Sequence, residues 1–343
     1  MSILTIPVYF KLEDILIFIK NKDFSFLDNE EINIIKTTTD NNCVENILIE
    51  LSDKALFEKF DILINKNILT VDGDHIKCLS IKDPKELPWD ELDIHVVIEA
   101  TGLFRLREEL NKHLSAGARR VILTVPPKDS IDATVVLGVN DHILTGNEKI
   151  VSNASCTTNC AAVLCKPIHE NLGIKEGYLI TVHAYTMGQR LLDYPHRDMR
   201  RARAAGLSII PTTTGAAKML GEIIPDLKGK VDGISYRVPV PDGSVVDMAL
   251  ELKTDVTVEE INTIMKTASE TYLEPYLQYS TAPIVSVDIV GNPYSAIYDA
   301  PLTKVLRNNF IKITGWYDNE SGYANRVIDL TQKMGHYELG LSK

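Results

Sequence analysis

Cys156 stands in the run SNASCTTNC, ringed by Ser, Thr and Asn and followed at once by the apolar segment AAVLCKPI. That order reads as a polar turn opening a helix. A thiol at a helix N-terminus faces the positive end of the helix dipole. The dipole favours the thiolate, so the expectation is a lowered pKa and a nucleophile. A buried structural thiol is the commoner fate of a single cysteine, but the polar neighbours weigh against it. His183 ends the strand-like stretch GYLITVHAYT. It is the candidate base, although spacing alone does not bring it to Cys156. Downstream come RDMRRARAAG, PTTTGAAK and YRVPV. Arg200, Arg201, Arg203 and Arg237, with Thr212, Thr213 and Thr214, offer guanidinium and hydroxyl donors that suit a phosphate. PTTTGAAKML also places a helix N-terminus there, another feature that suits an anion. An exposed charged loop is the alternative reading of the same residues.

These residues need a frame to hold them. At 343 residues, 45% hydrophobic and 24% charged, the chain is long enough for two domains with cores of their own. A net charge of -11 argues against a nucleic-acid partner held through phosphates. No apolar run reaches the roughly 18 residues of a membrane span. The first residues lack the basic region and small-residue cleavage site of a signal peptide. Of the five cysteines (Cys43, Cys78, Cys156, Cys160 and Cys165), three crowd into one short stretch, which does not suggest a disulfide framework. No second Cys/His cluster has metal-ligand spacing, so no metal is expected. The resulting expectation is a cytoplasmic protein with reduced thiols.

Apolar periodicity sets out the elements. Ile3 to Val8 reads as a strand and the segment from about Glu13 as a helix, with a polar loop, IKNKDFSFLDNEE, after it. Glu31 to Lys36 reads as a strand and Val44 to Leu51 as a helix. DILINKNILTVDGDHIKCLS reads as strands around tight turns, with a hairpin at VDGD. DIHVVIEATG and RRVILTVPP are buried strands, separated by the amphipathic helix RLREELNKHLSAGA ending at Gly117. This βαβ rhythm predicts a parallel sheet with helices on both faces. From Tyr178 the texture changes to long strands: GYLITVHAYT, DGISYRVPV, SVVDMALELK and APIVSVDIVG. A helix over Val258 to Ser269 interrupts them, and NNFIKITGWYDNESGYANRVIDLTQKM adds a last strand and helix. The fold class expected is α/β: a degenerate Rossmann-like parallel-sheet domain plus an α+β catalytic domain with a mainly antiparallel sheet. The C-terminal helix is expected to return to the first domain. Residues 1–155 with 319–343 would form the first domain and residues 156–318 the second.

SNASCTTNC, TVHAYT, RRARAA, SIIPTTTGAAK, RVPVPDGSVVD and WYDNESGY together resemble the glyceraldehyde-3-phosphate dehydrogenase family. The resemblance runs from about Asp93 to Leu330 and more faintly toward the N-terminus. It implies that Cys156 is the nucleophile carrying a thioester and that His183 is its base and acid. It implies that Ser155, Thr157, Thr214 and Gly215 hold the attacking or leaving phosphate, and that Thr186, Arg201 and Arg237 hold the phosphate of a three-carbon substrate. Asn319 would face the nicotinamide carboxamide, with Tyr323 beside the ring. Residues 187–206 would be the S-loop that packs against a neighbour in a homotetramer. The Met187-Gly188 pair there departs from the more polar residues often found.

The opening of the chain departs further. The family begins with a strand and a glycine loop of the form N-G-F-G-R-I-G-R. Here PVYFKLED falls on that loop, so Val8, Phe10 and Glu13 occupy the glycine positions, with Lys11 and Leu12 in place of Arg and Ile. The first glycine of the chain is Gly73. Glycine lets the backbone approach a pyrophosphate, and Glu13 and Asp14 at a helix start oppose a dianion. The later ribose position falls on Thr37, with Asp40 as a substitute if the register slips. The expectation drawn from this departure is an enzyme without a cofactor. It would form a 3-phosphoglyceroyl thioester on Cys156 from 1,3-bisphosphoglycerate and pass the acyl group to water or another acceptor. Two alternatives stand beside it: an NAD-dependent phosphorylating dehydrogenase with a remodelled cofactor cleft, and a non-catalytic scaffold or regulatory paralogue.

Overall fold

The computed structural model describes residues 74–340 continuously, and before them only the strand segments 32–36, 47–51, 62–65 and 68–71. The first strand, the helix from Glu13 and the loop after it lie outside the described residues. Strand β1 (Ile32–Lys36) pairs antiparallel with β2 (Ile47–Leu51). The helix expected over Val44 to Leu51 is therefore corrected to a strand. A short apolar run such as ILIEL satisfies either period, and its alternating isoleucines suit a pleated pairing. Strands β3 (Ile62–Asn65), β4 (Ile68–Val71) and β5 (Asp74–Lys77) form an antiparallel meander. The register Val71↔Asp74 leaves two residues for the expected VDGD hairpin.

A four-stranded parallel sheet follows, in the order β6 (Val96–Glu99), β7 (Arg120–Leu123), β9 (Ile150–Ser152), β8 (Ala133–Thr134). Every residue of β6, β7 and β9 is buried, as expected of strands covered on both faces. Helix α1 (Arg107–Ser115) connects β6 to β7. It ends before Gly117, whose φ of +106° suits the residue after a helix.

The second sheet is mixed and mainly antiparallel. Its strands are β10 (Ile174–Ala184), β11 (Ile210–Thr213), β12 (Val231–Val238), β13 (Ser244–Leu252), β14 (Leu277–Ser280), β15 (Ala296–Asp299), β16 (Lys304–Leu306) and β17 (Phe310–Tyr317). They run in the order β11-β12-β10-β13-β17-β15-β14, with β16 on β17. The strand expected at APIVSVDIVG is corrected to a short 3-10 turn, Ser286–Ile289. There the Asp288 carboxylate accepts the Val285 N–H at 2.7 Å, a local bond that competes with sheet pairing.

Helix α2 (Cys156–Leu172) lies across this sheet, with α3 (Ala216–Ile223) and α4 (Val258–Ser269) beside it. Small residues, Cys160 to Ala162, let α2 sit close. A Cβ at Gly315 of β17 would lie 2.6 Å from Leu164, so the strand needs glycine at that crossing. Helix α5 (Ser321–Glu338) leaves β17 and returns to the parallel sheet, where Leu330 and Met334 pack with Val96, Ile122 and Val151. Lys333–Asp141 and Arg120–Glu338 ion pairs, at 2.7 and 2.8 Å, flank that contact. Among the described residues no helix is long and apolar enough to cross a membrane.

Leu330 is fully buried at the junction of α5 and the parallel sheet. Leu330→Ala is expected to cost about 2–5 kcal/mol of stability, read by denaturant unfolding. A loss below about 1 kcal/mol would mean that α5 does not share the parallel-sheet core.

Candidate active site

The turn before α2 is built to present Cys156. Ser155 is the N-cap, and its Oγ accepts the Thr158 N–H at 3.2 Å. Ala154 just before it has a φ of +56°, an uncommon conformation for a residue with a side chain, and is fully buried. Tyr323 Oη donates to the Thr124 and Ala154 carbonyls at 2.7 and 3.3 Å, so α5 braces this turn.

At the C-terminal end of β10, His183 Nε2 lies 3.5 Å from Cys156 Sγ. The ring is buried and meets Tyr317 edge-on, with centroids 5.8 Å apart. His183 Nδ1 lies 2.7 Å from the Ala184 carbonyl, which only accepts. With the proton on Nδ1, given to that carbonyl, Nε2 turns its lone pair toward the thiol. Arg237 Nη1, 2.8 Å from Nδ1 and from the same carbonyl, opposes a second proton on the ring. Burial first and Arg237 second push the His183 pKa down to about 3.

The expectation of a low thiol pKa is corrected. Burial pushes Cys156 up to about 11, and Glu320 adds to the rise. Arg237 and the Thr157 N–H pull the other way without winning. The residue as a whole is half-buried. The resting pair is a neutral thiol beside a neutral imidazole, a nucleophile activated by its base rather than by the helix dipole.

The cation cluster lies next to this pair. Arg237 Nη1 approaches Thr186 Oγ1 at 3.4 Å, and Arg201 Nε donates to Thr212 Oγ1 at 2.8 Å. A Cβ on Gly188 would lie 3.6 Å from Thr186 Oγ1 and 3.9 Å from an Arg201 Nη, so those side chains converge on the Met187-Gly188 backbone. Arg237 and Arg201 also repel one another, which an anion between them relieves. Arg200 and Thr213 are exposed, and Arg203 pairs with Asp193 at 3.3 Å, so the wider ring of donors is not assembled.

Of the second phosphate set, Thr157 is turned inward. Its Oγ1 bonds Tyr317 Oη at 2.8 Å, and that hydroxyl also meets Thr181. Ser155 Oγ serves the helix cap. Thr214 Oγ1 accepts the Ala216 N–H at 3.2 Å and keeps its own proton to donate, and exposed Gly215 opens α3. Sequence reasoning missed Tyr317, which ties three segments together, although it lies inside the WYDNESGY motif.

Two regions suit a dinucleotide. At one end Asn319 is buried, its Oδ1 accepting from Ser244 Oγ at 2.6 Å, while Ser244 accepts the Ala184 N–H at 3.1 Å. Asn319 is thus coupled to the His183 strand. Beside it, burial and the neighbouring Asp318 raise the Asp242 carboxyl to about 7. At the other end an apolar cavity of about 240 Å³ sits at the C-terminal end of β6, lined by Ile81, Leu87, Thr101, Leu103 and Phe104. The carboxyl ends of parallel strands are where such folds bind nucleotides. Val8, Phe10, Lys11, Leu12, Glu13, Asp14, Thr37 and Asp40 lie outside the described residues. No group of three or more His, Cys, Asp or Glu residues that could hold a metal occurs among the described residues.

The family description "Glyceraldehyde 3-phosphate dehydrogenase, NAD binding domain" matches residues 23–107, and the corresponding C-terminal domain matches residues 155–319. A glyceraldehyde-3-phosphate dehydrogenase of Borreliella burgdorferi is 56% identical over 273 residues, covering 78% of this chain and 81% of that protein. Glyceraldehyde-3-phosphate dehydrogenase 2 of Streptomyces avermitilis is 49% identical over 81% of this chain and 83% of its own length. The Mycolicibacterium smegmatis enzyme of the same name is 46% identical over 89% of each chain. These matches overturn the expected acyl transferase or hydrolase without a cofactor. The expectation leaned on Val8, Phe10 and Glu13, which precede the NAD-binding match over residues 23–107, and on Thr37, which lies within it.

The geometry predicts how Cys156 titrates. In the ligand-free protein its alkylation by iodoacetamide should rise about tenfold per pH unit from pH 6 to 9, as expected below a thiol pKa near 11. His183 should add no inflection near 6.5. A plateau reached below pH 8 would show a thiolate–imidazolium pair instead.

Proposed function

The chain belongs to the glyceraldehyde-3-phosphate dehydrogenase family, and on that premise we propose that it is an NAD-dependent phosphorylating dehydrogenase of a three-carbon aldehyde phosphate. The observation that carries this reading is the 3.5 Å approach of Cys156 Sγ to His183 Nε2 beside Thr186, Arg201 and Arg237. In this reading Thr186, Arg201 and Arg237 hold the substrate's phosphate and set its aldehyde carbon near Sγ. His183 Nε2 takes the S–H proton as sulfur attacks the carbonyl. Free N–H groups at the start of α2 supply donors for the oxyanion. A bound nicotinamide would supply the hydride acceptor that oxidation of the Cys156 adduct to an acyl thioester on Sγ requires. Inorganic phosphate, received by the Thr214 hydroxyl and the Gly215 turn with the backbone of Ser155 and Thr157, then displaces the thiolate, which regains its proton from His183.

The cofactor would be held by Asn319 and Tyr323 at the nicotinamide end and by the cavity at the end of β6 at the other. Residues 1–155 with 319–343 form the cofactor domain and residues 156–318 the catalytic domain in this assignment. Cys156, Cys160 and Cys165 form no disulfide among the described residues, which supports a reducing, cytoplasmic setting.

The test is NADH formation from glyceraldehyde 3-phosphate, phosphate and NAD. Wild type should turn over. Cys156→Ser should be inactive, and His183→Asn should lose about 10²–10⁴-fold in kcat. Arg237→Leu should raise KM for the aldehyde. Steady turnover by Cys156→Ser would sink the mechanism.

The S-loop supports a homotetramer. Within it Met187 is 84% exposed and Leu191, Leu192, Tyr194 and Met199 are exposed too; Leu207 and Ile209 just past its end extend the same surface. So much apolar surface on one segment calls for a partner. Sedimentation velocity should give a species of four chains, and Leu192→Glu should shift it to smaller species. A monomer for wild type at micromolar concentration would overturn this assignment.

A further inference from the structure

The cavity at the end of β6 is backed by a chain of buried polar side chains that the chemistry at Cys156 does not use. Strand β6 is VVIE, and its last residue, Glu99, is 1% exposed. A carboxylate in such a place is tolerated only where donors surround it. Trp89 and His113, both fully buried, supply the first of them. Trp89 Nε1–H donates to His113 Nδ1 at 3.1 Å. An indole N–H only donates, so Nδ1 holds the lone pair and Nε2 the proton. Nε2 then donates to Glu99 Oε2 at 3.0 Å. The other carboxylate oxygen, Oε1, accepts the Thr101 N–H at 2.9 Å and the Thr101 hydroxyl. Thr101 Oγ1 in turn accepts the Leu103 N–H at 3.1 Å.

The chain therefore ends on the turn 101–103, the rim of the cavity. Gly102 has a φ of +70°, and a Cβ there would meet nothing within 4 Å. His113 lies between two rings, stacked on Trp89 and edge-on to Phe104, with centroids 6.2 and 6.5 Å away. Phe104, Thr101, Leu103, Glu99 and His113 all line the cavity, whereas Trp89 stands behind it.

We propose that Trp89, His113 and Glu99 are positioning residues that set the rim of this cavity, so that they govern affinity for the adenosine half of the dinucleotide and leave the step at Cys156 untouched. The proposal rests on the dinucleotide reading given above.

The test uses the intact protein and ADP-ribose, which lacks nicotinamide, titrated by calorimetry. His113→Leu breaks both bonds of the imidazole. It should raise the ADP-ribose Kd about tenfold, the effect of losing one hydrogen bond to a charged group. KM for NAD should rise in parallel with kcat within about twofold of wild type. His113→Gln, whose amide accepts from Trp89 and donates to Glu99, should recover most of the affinity. Binding should also change Trp89 emission, a change that Trp89→Phe removes while Trp316 still emits. An unchanged Kd in His113→Leu, or a fall in kcat with KM unmoved, would overturn the relay. Where His113→Leu yields no folded protein, Trp89→Phe carries the same test, since it removes the indole donor while keeping an aromatic ring in the core; an unchanged Kd there is equally fatal. Wild type that binds neither ADP-ribose nor NAD overturns the dinucleotide reading itself, and the relay with it.

Discussion

The approach of Cys156 to His183 is the constraint around which the second domain is arranged. The two residues are 27 apart in sequence and meet only because α2 starts where β10 ends. That meeting depends on the braced turn at Ala154, on Ser155 capping α2, and on Gly315 letting the helix lie close to the sheet. Tyr317 ties the start of α2 to β10 through Thr157 and Thr181. Each of these contacts comes from a different segment, so the geometry at sulfur is set by the packed core rather than by any one loop.

The electrostatics follow from the same packing. Burying both partners disfavours charge on each, so the resting pair is neutral. Arg237 then has two roles. It helps make the anion site beside Thr186, and its charge keeps a second proton off His183. Any anion that neutralises Arg237 weakens that repulsion, which couples its charge to the basicity of the ring. Asn319 joins this centre through Ser244 and Ala184, which ties it to the strand that carries His183.

The parallel-sheet domain faces a different physical problem. Its strands are buried on both faces, which leaves only their carboxyl ends to make a site. Glu99 ends β6 as a buried carboxylate surrounded by directional donors, and those donors order a turn that has a glycine at its centre. Helix α5 links the two halves, with Tyr323 on the catalytic turn and Leu330 in the parallel-sheet core.

Much of this was legible in the residues. Alternation and apolar runs marked β10, β12, β13 and β17 and helix α4, because strands and helices with one buried face must repeat at the period of their geometry. The motifs around Cys156, His183, Arg201 and Arg237 named the chemistry through their resemblance to a known family, because spacing alone does not bring a thiol, an imidazole and guanidiniums together. Short runs were less legible: ILIEL and APIVSVDIVG satisfy more than one period, and only pairing partners or a local Asp288 bond decide between them. The missing glycines at Val8, Phe10 and Glu13 suggested a lost cofactor, but similarity to an NAD binding domain over residues 23–107 corrected that reading. What only the tertiary structure decided was which donors meet. It set Arg201 and Arg237 toward Thr186, left Arg200 and Arg203 outside, turned Thr157 inward, and raised rather than lowered the thiol pKa. Sequence names the group at each position, whereas burial and distance set its charge state, and those belong to the folded chain.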